Sequence, residues 1–172
     1  MKIITLSGST RSNSLNLRLL EGIALFFPQQ EFIFYKKLDQ LPLFRAEDDK
    51  YPLAESVLEW RKNLKDCDVV IISIPEYIHN LPALIKNALE WIATSGELVG
   101  KRILPITFTP HEPRGEKAMQ SLCWSLQALD AQIIVQLPLF QNEIDFNDDT
   151  TLVENDSVEM LIEGIKLLIG VN

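Results

Sequence analysis

The sequence is poor in the residues that metal and disulfide chemistry require. It holds two cysteines, Cys67 and Cys123, and two histidines, His79 and His111. Two cysteines make no disulfide framework, and these sit in no metal-ligand spacing. Cys67 stands at the start of an apolar strand and Cys123 within a helical segment, where a free thiol behaves as a small hydrophobe. With so few histidines, a multi-histidine zinc site is excluded. Long apolar runs are also missing. The longest, around Val69-Val70-Ile71-Ile72, is strand-sized, far short of the roughly 20 residues a membrane helix needs. The N-terminal apolar stretch is cut short by Ser7 without a cleavage-like site, so no signal peptide is expected and the expected address is the cytoplasm. Basic charge is scarce too. A formal net charge of −8 and a pI near 4.8 argue against nucleic acid or an anionic membrane as partner, since either demands a basic face. A local basic spot can still hold a small phosphate.

What is present is ordinary globular material. Hydrophobic residues at 47% and charged residues at 23% exclude disorder, collagen and coiled coil. A chain of 172 residues is expected to form one domain over residues 1–172, with a core that needs no staple. Short apolar runs alternate with helix-period segments. Strands are expected at Met1 to Leu6, Glu31 to Lys36, Asp68 to Ile74, Lys101 to Thr107 and Ala131 to Leu137. Helices are expected at Ser14 to Phe27, Pro52 to Leu64, Pro82 to Ala93, Glu116 to Leu129 and about Val153 to Ile169. Asp68 to Ile74 is the most apolar of the strands, a near-continuous run rather than an alternation, which marks a parallel strand covered on both faces and places it at the sheet centre. Five strands alternating with five helices imply right-handed βαβ units around one parallel sheet. Ligands of such sheets bind beyond the carboxyl ends of the strands, which directs attention to the loops after strands one, three and four.

The loop after strand one reads Gly8-Ser9-Thr10-Arg11-Ser12-Asn13-Ser14-Leu15-Asn16 and runs straight into a helix. It offers hydroxyls, amides, one guanidinium and the open N–H groups of a helix N-terminus, with the helix dipole adding partial positive charge. No Walker lysine is present, and a single glycine does not make the dinucleotide fingerprint. The segment therefore reads as a phosphate cradle; the alternative is an ordinary serine-rich loop with a helix cap.

Gly-Ser-x-Arg-x-x-Ser-x-Asn after the first strand resembles the NADPH-dependent FMN reductase family, flavodoxin-like flavoproteins that include quinone, azo-dye and chromate reductases. Leu41-Pro42-Leu43-Phe44 is similar to that family's segment after strand two. Pro75-Glu76-Tyr77 with Leu81-Pro82-Ala83-Leu84-Ile85-Lys86-Asn87-Ala88-Leu89-Glu90-Trp91, and Ser95-Gly96-Glu97-Leu98-Val99-Gly100-Lys101, resemble its next two motifs. The match covers roughly residues 3–122. The resemblance implies a flavodoxin-like doubly wound five-stranded parallel sheet of order 2-1-3-4-5, with helices on both faces. It implies FMN as cofactor, with Ser9, Arg11, Ser14, Leu15 and Asn16 at its phosphate and ribityl chain. Pro75, Glu76, Tyr77, Ile78 and Gly115 would lie beside its ring, largely through backbone groups. NADPH or NADH would be the co-substrate and a flavin, quinone or similar small molecule the acceptor. The chemistry then belongs to the cofactor, and no catalytic side chain need be assigned. A homodimer or homotetramer is expected, with Trp91 and Leu43-Phe44 as apolar groups near the mouth.

Two departures stand out. After Tyr77 the family's Asn-Gly-Ser is Ile78-His79-Asn80, and the glycine-rich third loop is Thr109-Pro110-His111-Glu112-Pro113-Arg114-Gly115. Glycine permits close backbone approach to a ligand, so these replacements imply either a flavin reductase with a narrowed acceptor pocket or a relative that has weakened or lost the cofactor. The alternative function is a flavodoxin-like binding or regulatory protein that binds FMN or another phosphorylated ligand without turnover. His79 and His111 are candidates for a proton relay or simply exposed loop residues. Trp60, Trp91 and Trp124 are expected in the core or at a subunit interface. The aspartates between Asp145 and Asp149 lack the register of a calcium loop and read as a solvated turn.

Overall fold

A computed structural model of the chain, described over residues 1–171, shows an α/β fold. The strands are β1 (Lys2–Ser7), β2 (Glu31–Phe34), β3 (Val69–Ile74), β4 (Arg102–Thr109), β5 (Gln132–Ile133) and β6 (Leu137–Phe140). The helices are α1 (Leu15–Phe26), α2 (Glu55–Asp66), α3 (Ala83–Glu90), α4 (Glu116–Ala128) and α5 (Asp156–Ile169). The sheet is parallel, in the order β2-β1-β3-β4-β5, and β6 also pairs with β4.

Alternation along the strands sends successive side chains to opposite faces. Ile4, Leu6, Val70, Ile72 and Ile74 join Trp60, Leu64, Ile85 and Leu122 under α2, α3 and α4. Ile3, Val69, Ile71, Leu104 and Phe108 join Leu19, Ile23, Leu161 and Ile165 under α1 and α5. All six residues of β3 are buried, as its continuous apolar run requires. Trp60 is wholly buried and its indole N–H donates to the Ala88 carbonyl at 2.9 Å, meeting the demand that a buried indole find a partner.

Several boundaries differ from the sequence expectation. The fifth strand is broken in two. Ile103 faces Ile133 and Ile106 faces Leu137, so one extra residue is inserted opposite β4. This bulge keeps Leu137 and Leu139 inward, and Pro138 is tolerated because it lies on an edge. The second helix begins at Glu55 rather than Pro52, and α3 ends at Glu90, where Trp91 to Ala93 tighten into turns. The last helix starts at Asp156, where the Asn155 side chain accepts from the Val158 N–H at 3.0 Å. Among the described residues no helix is long and apolar enough to cross a membrane.

Candidate functional site

Three loops meet beyond the carboxyl ends of β1, β3 and β4. The first leaves β1 at Gly8, whose N–H donates to the Ser73 carbonyl at 2.8 Å. A Cβ at Gly8 would lie 2.8 Å from Ile74 Cγ2 and 3.2 Å from Ile85 Cγ1, so only glycine lets the loop press onto β3 and α3. Ser7 Oγ accepts from the Ser9 N–H at 3.3 Å, and Ser9 Oγ from the Arg11 N–H at 3.4 Å. Ser14 caps α1, its Oγ accepting from the Leu17 N–H at 3.3 Å. The N–H groups of Leu15 and Asn16 have no intrahelical partner. No acidic side chain stands in the first turn of α1 to oppose the positive end of its dipole.

The second loop follows β3. Tyr77 and Asn80 exchange backbone hydrogen bonds of 3.1 and 3.0 Å, closing a tight turn with Ile78 at φ +51° and His79 at φ +54°. Two successive positive φ values favour Asn-Gly, and a β-branched residue there is strained. Asn80 holds the turn in place. Its Oδ1 accepts from the Leu81 N–H at 2.8 Å and from Ser121 Oγ on α4 at 2.6 Å. Ile78 at the tip is 98% exposed.

Glu76 joins the second loop to the third. Its Oε2 accepts from the Gly115 N–H at 3.2 Å and the Ala118 N–H at 3.1 Å, while Oε1 lies 3.3 Å from His79 Nδ1. Gly115 is the N-cap of α4 and has no side chain to cap it; the carboxylate of Glu76 supplies the acceptor from across the cleft. Gly115 has φ +105°, and a Cβ there would meet Thr107 Oγ1 at 2.9 Å, so glycine is required on both counts. Thr109 Oγ1 donates to the Arg114 carbonyl at 2.8 Å and closes the third loop on itself.

These loops enclose a cleft of 310 Å³ in which Ser9, Arg11, Ser14, Leu15 and Asn16 face Pro75, Glu76 and Tyr77. The volume is at the lower end for a small-molecule site. Of the ten residues singled out in the sequence, Ile78 and Gly115 stay outside the lining: Ile78 points to solvent and Gly115 sits at the head of α4. Asn16 lies in the wall but its amide is engaged: Oδ1 accepts from Ser73 Oγ at 2.8 Å, and Nδ2 donates to the Phe108 carbonyl at 3.4 Å. It ties α1 to β3 and β4. The lining also contains Arg114, Thr109, Pro110 and Gln141, which sequence reasoning did not single out. Arg114 belongs to the third-loop side of the lining, and among the described residues neither it nor Arg11 has a carboxylate partner. The Arg11 guanidinium and an open helix N-terminus on the same loop suit an anion such as a phosphate monoester.

The tryptophans divide. Trp60 and Trp91 are core residues, whereas Trp124 is 63% exposed. Trp91 is therefore not an exposed group at the mouth. Its indole donates to the Pro42 carbonyl at 2.7 Å and its ring meets Phe44 edge-on at 5.2 Å. Asn87 grips the same segment, accepting from the Phe44 N–H at 2.8 Å and donating to the Pro42 carbonyl at 3.0 Å. Both cysteines are buried and unpaired, and burial pushes both thiols up, away from the thiolate that redox chemistry uses. The turn through Asp145 to Asp149 is held by Arg18, which donates to the Asn147 carbonyl at 2.6 Å and lies 4.6 Å over the Phe146 ring.

A model of the NADPH-dependent FMN reductase family matches residues 1–143. Among characterised proteins, the chain is 33% identical over 123 residues to the NADH:(hydroxy)cinnamate reductase subunit CrdA of Vibrio ruber, covering 70% of this chain and 59% of that protein. It is 30% identical over 92 residues to a 2-hydroxy-1,4-benzoquinone reductase of a Burkholderia species, covering 53% and 49%. The chain thus spans about half to three fifths of these relatives. A quinone reductase of Escherichia coli K12 is 26% identical over 156 residues, covering 84% and 81%. Among solved structures, the flavoenzyme NAD(P)H:(acceptor) oxidoreductase FerB of Paracoccus denitrificans superposes with a TM-score of 0.85 at 21% identity, covering 98% of this chain and 95% of that one. The fold is shared.

Proposed function

The chain belongs to the NADPH-dependent FMN reductase family, and on that footing we propose that it is an FMN-dependent oxidoreductase. It would take a hydride from NADPH or NADH and deliver it to a small acceptor, a quinone or a free flavin. The observation that carries this reading is the cleft itself. Ser9, Arg11 and the capped start of α1 stand together on the first loop, across from the second and third loops. That donor set fits a flavin mononucleotide phosphate: dianionic, and served by guanidinium, hydroxyl and helix N–H groups together.

When bound, FMN supplies the hydride chemistry. The protein's part is to hold and orient. Arg11 and the N–H groups of Leu15 and Asn16 would bind the phosphate. Asn16, locked to Ser73 and Phe108, fixes the first turn of α1 against the sheet. Pro75 to Tyr77 and Thr109 to Pro110 would flank the ring, with Glu76 keeping the two loops in mutual register through α4. The relatives named for quinone and cinnamate reduction support an acceptor of small, unsaturated type. Pro110 in the cleft wall, where the family carries glycine, favours a second reading: flavin binding with little or no turnover. Oxidation of NADPH and NADH with a quinone acceptor separates the two. A rate above that of free FMN supports the enzyme, and its absence despite bound FMN supports the binding protein.

A homodimer or homotetramer is the proposed assembly. Ile78 and Trp124 are large and exposed, and the Asn80–Ser121 hydrogen bond ties the turn that carries Ile78 to the helix that carries Trp124; a second copy would cover them. A cytoplasmic location suits the nicotinamide co-substrate and the two free thiols.

A further inference from the structure

We propose that a second cleft, on the β2 side of the first loop, receives the ribose-phosphate arm of a dinucleotide; the proposal rests on the flavin reading of the neighbouring cleft. This second cleft measures 220 Å³ and shares Ser9 and Arg11 with the first. It lies off the β1/β3 crossing point, where the strand order reverses, and extends instead over the ends of β1 and β2. At that size it is smaller than the roughly 300 Å³ at which ligand pockets ordinarily begin. It therefore takes an arm of a ligand whose body lies elsewhere, and the shared loop is where the two parts would join.

The walls are chemically sorted. The first-loop side carries Arg11 with the hydroxyls of Thr10 and Ser12, and among the described residues none of these three side chains has a hydrogen-bond or ionic partner. Lys36 adds a second cation from the end of β2. Among the described residues its one ionic partner is Glu21 at 3.3 Å, with the side chains 60% and 39% exposed, a pair weak enough to exchange for a ligand. Asp39 stands at the far side with no ionic partner among the described residues. The floor is apolar, with Leu38 buried and Leu17 and Leu84 half-buried. Two cations against one carboxylate suit a phosphodiester or pyrophosphate. The carboxylate is an acceptor for ribose hydroxyls, the same role that an acidic side chain beyond the second strand has in dinucleotide folds. The apolar floor would take one face of the base.

Two dinucleotides carry such an arm, FAD and the nicotinamide co-substrate, and the test distinguishes them. Binding of AMP, FMN and FAD is measured by calorimetry on the wild-type chain, Lys36→Glu and Asp39→Asn. KM and kcat for NADH and NADPH are measured in parallel. Both substituted side chains are exposed, so both variants should keep the wild-type circular dichroism and Tm. The proposal expects AMP to bind, and Lys36→Glu to weaken it about tenfold, the loss of one charge-assisted contact, with FMN affinity unchanged. If FAD binds more tightly than FMN and Lys36→Glu removes the difference, the arm is that of FAD. If KM for the nicotinamide nucleotide rises in Lys36→Glu while FAD gains nothing over FMN, the arm is the co-substrate's. A wild-type chain that binds FMN, ignores AMP, shows no FAD preference and has the same co-substrate KM in both variants would overturn the proposal. A chain that binds AMP but not FMN would instead remove the flavin reading and leave this cleft standing.

Discussion

At the scale of single residues, Arg11 and Ser9 carry the proposed phosphate contact. Charge-assisted hydrogen bonds contribute about 1.5–3 kcal/mol each, so Arg11→Ala combined with Ser9→Ala should weaken FMN binding at least about tenfold. Fluorescence titration reads it; an unchanged affinity would place the phosphate elsewhere. Glu76 makes a different kind of prediction. Its carboxylate caps α4 from the opposite loop, and loss of a cap costs about 1 kcal/mol. Glu76→Ala should lower stability by about that amount in urea unfolding and loosen FMN binding as well. Glu76→Gln keeps an acceptor oxygen and should recover most of both; if Gln behaves as Ala, the charge rather than the cap matters. The polar loop at 8–16 was legible in the sequence because it follows an apolar strand and opens a helix. The roles of Asn16 and Glu76 were not, since their partners lie at Ser73, Phe108, Gly115 and Ala118 and no local pattern announces a contact so distant. Arg114 was in view, but as part of a loop remarked on for its missing glycines.

At the scale of elements, the segment from Leu41 to Asp49 is rigidly tied to its neighbours. Asn87 and Trp91 bind its backbone, and Asp49 pairs with Arg61 at 2.6 Å while accepting from Thr94 Oγ1 at 2.5 Å. The Thr94 hydrogen bond first, and the Arg61 guanidinium with it, hold the Asp49 carboxyl below its ordinary value against the opposing effect of burial. A depressed folded-state pKa adds stability above the unfolded value, near pH 4, and that stability is lost as pH falls through the folded value. Wild type should therefore exceed Asp49→Asn in stability at neutral pH, and the gap should close below about pH 4; a gap independent of pH would contradict the ion-pair account. Element order and most boundaries followed from the apolar periodicity. The fifth strand did not, because Ala131 to Leu137 reads as one run and a single-residue bulge changes no hydrophobic pattern. The last helix starts at Asp156 rather than about Val153 because Val153, though apolar, belongs to the preceding turn, where its N–H donates to the Asp145 carbonyl at 3.0 Å.

At the scale of the whole molecule, the sheet order and the paired loops at its carboxyl edge produce a cleft that only side chains from three separate crossovers complete. The exposed Ile78, at the tip of the second loop, and Trp124, on α4, should be covered by a second copy. Light scattering is expected to give a dimer or tetramer, and Ile78→Asp or Trp124→Asp should shift it toward monomer; a wild-type monomer at working concentration would contradict the assembly. The central claim is that this cleft holds FMN. Titration of the flavin-free protein with FMN, followed by flavin fluorescence, tests it most directly. The account predicts saturable quenching at about one flavin per chain, lost or weakened in Arg11→Ala. A folded protein that leaves the fluorescence of added FMN unchanged would contradict it.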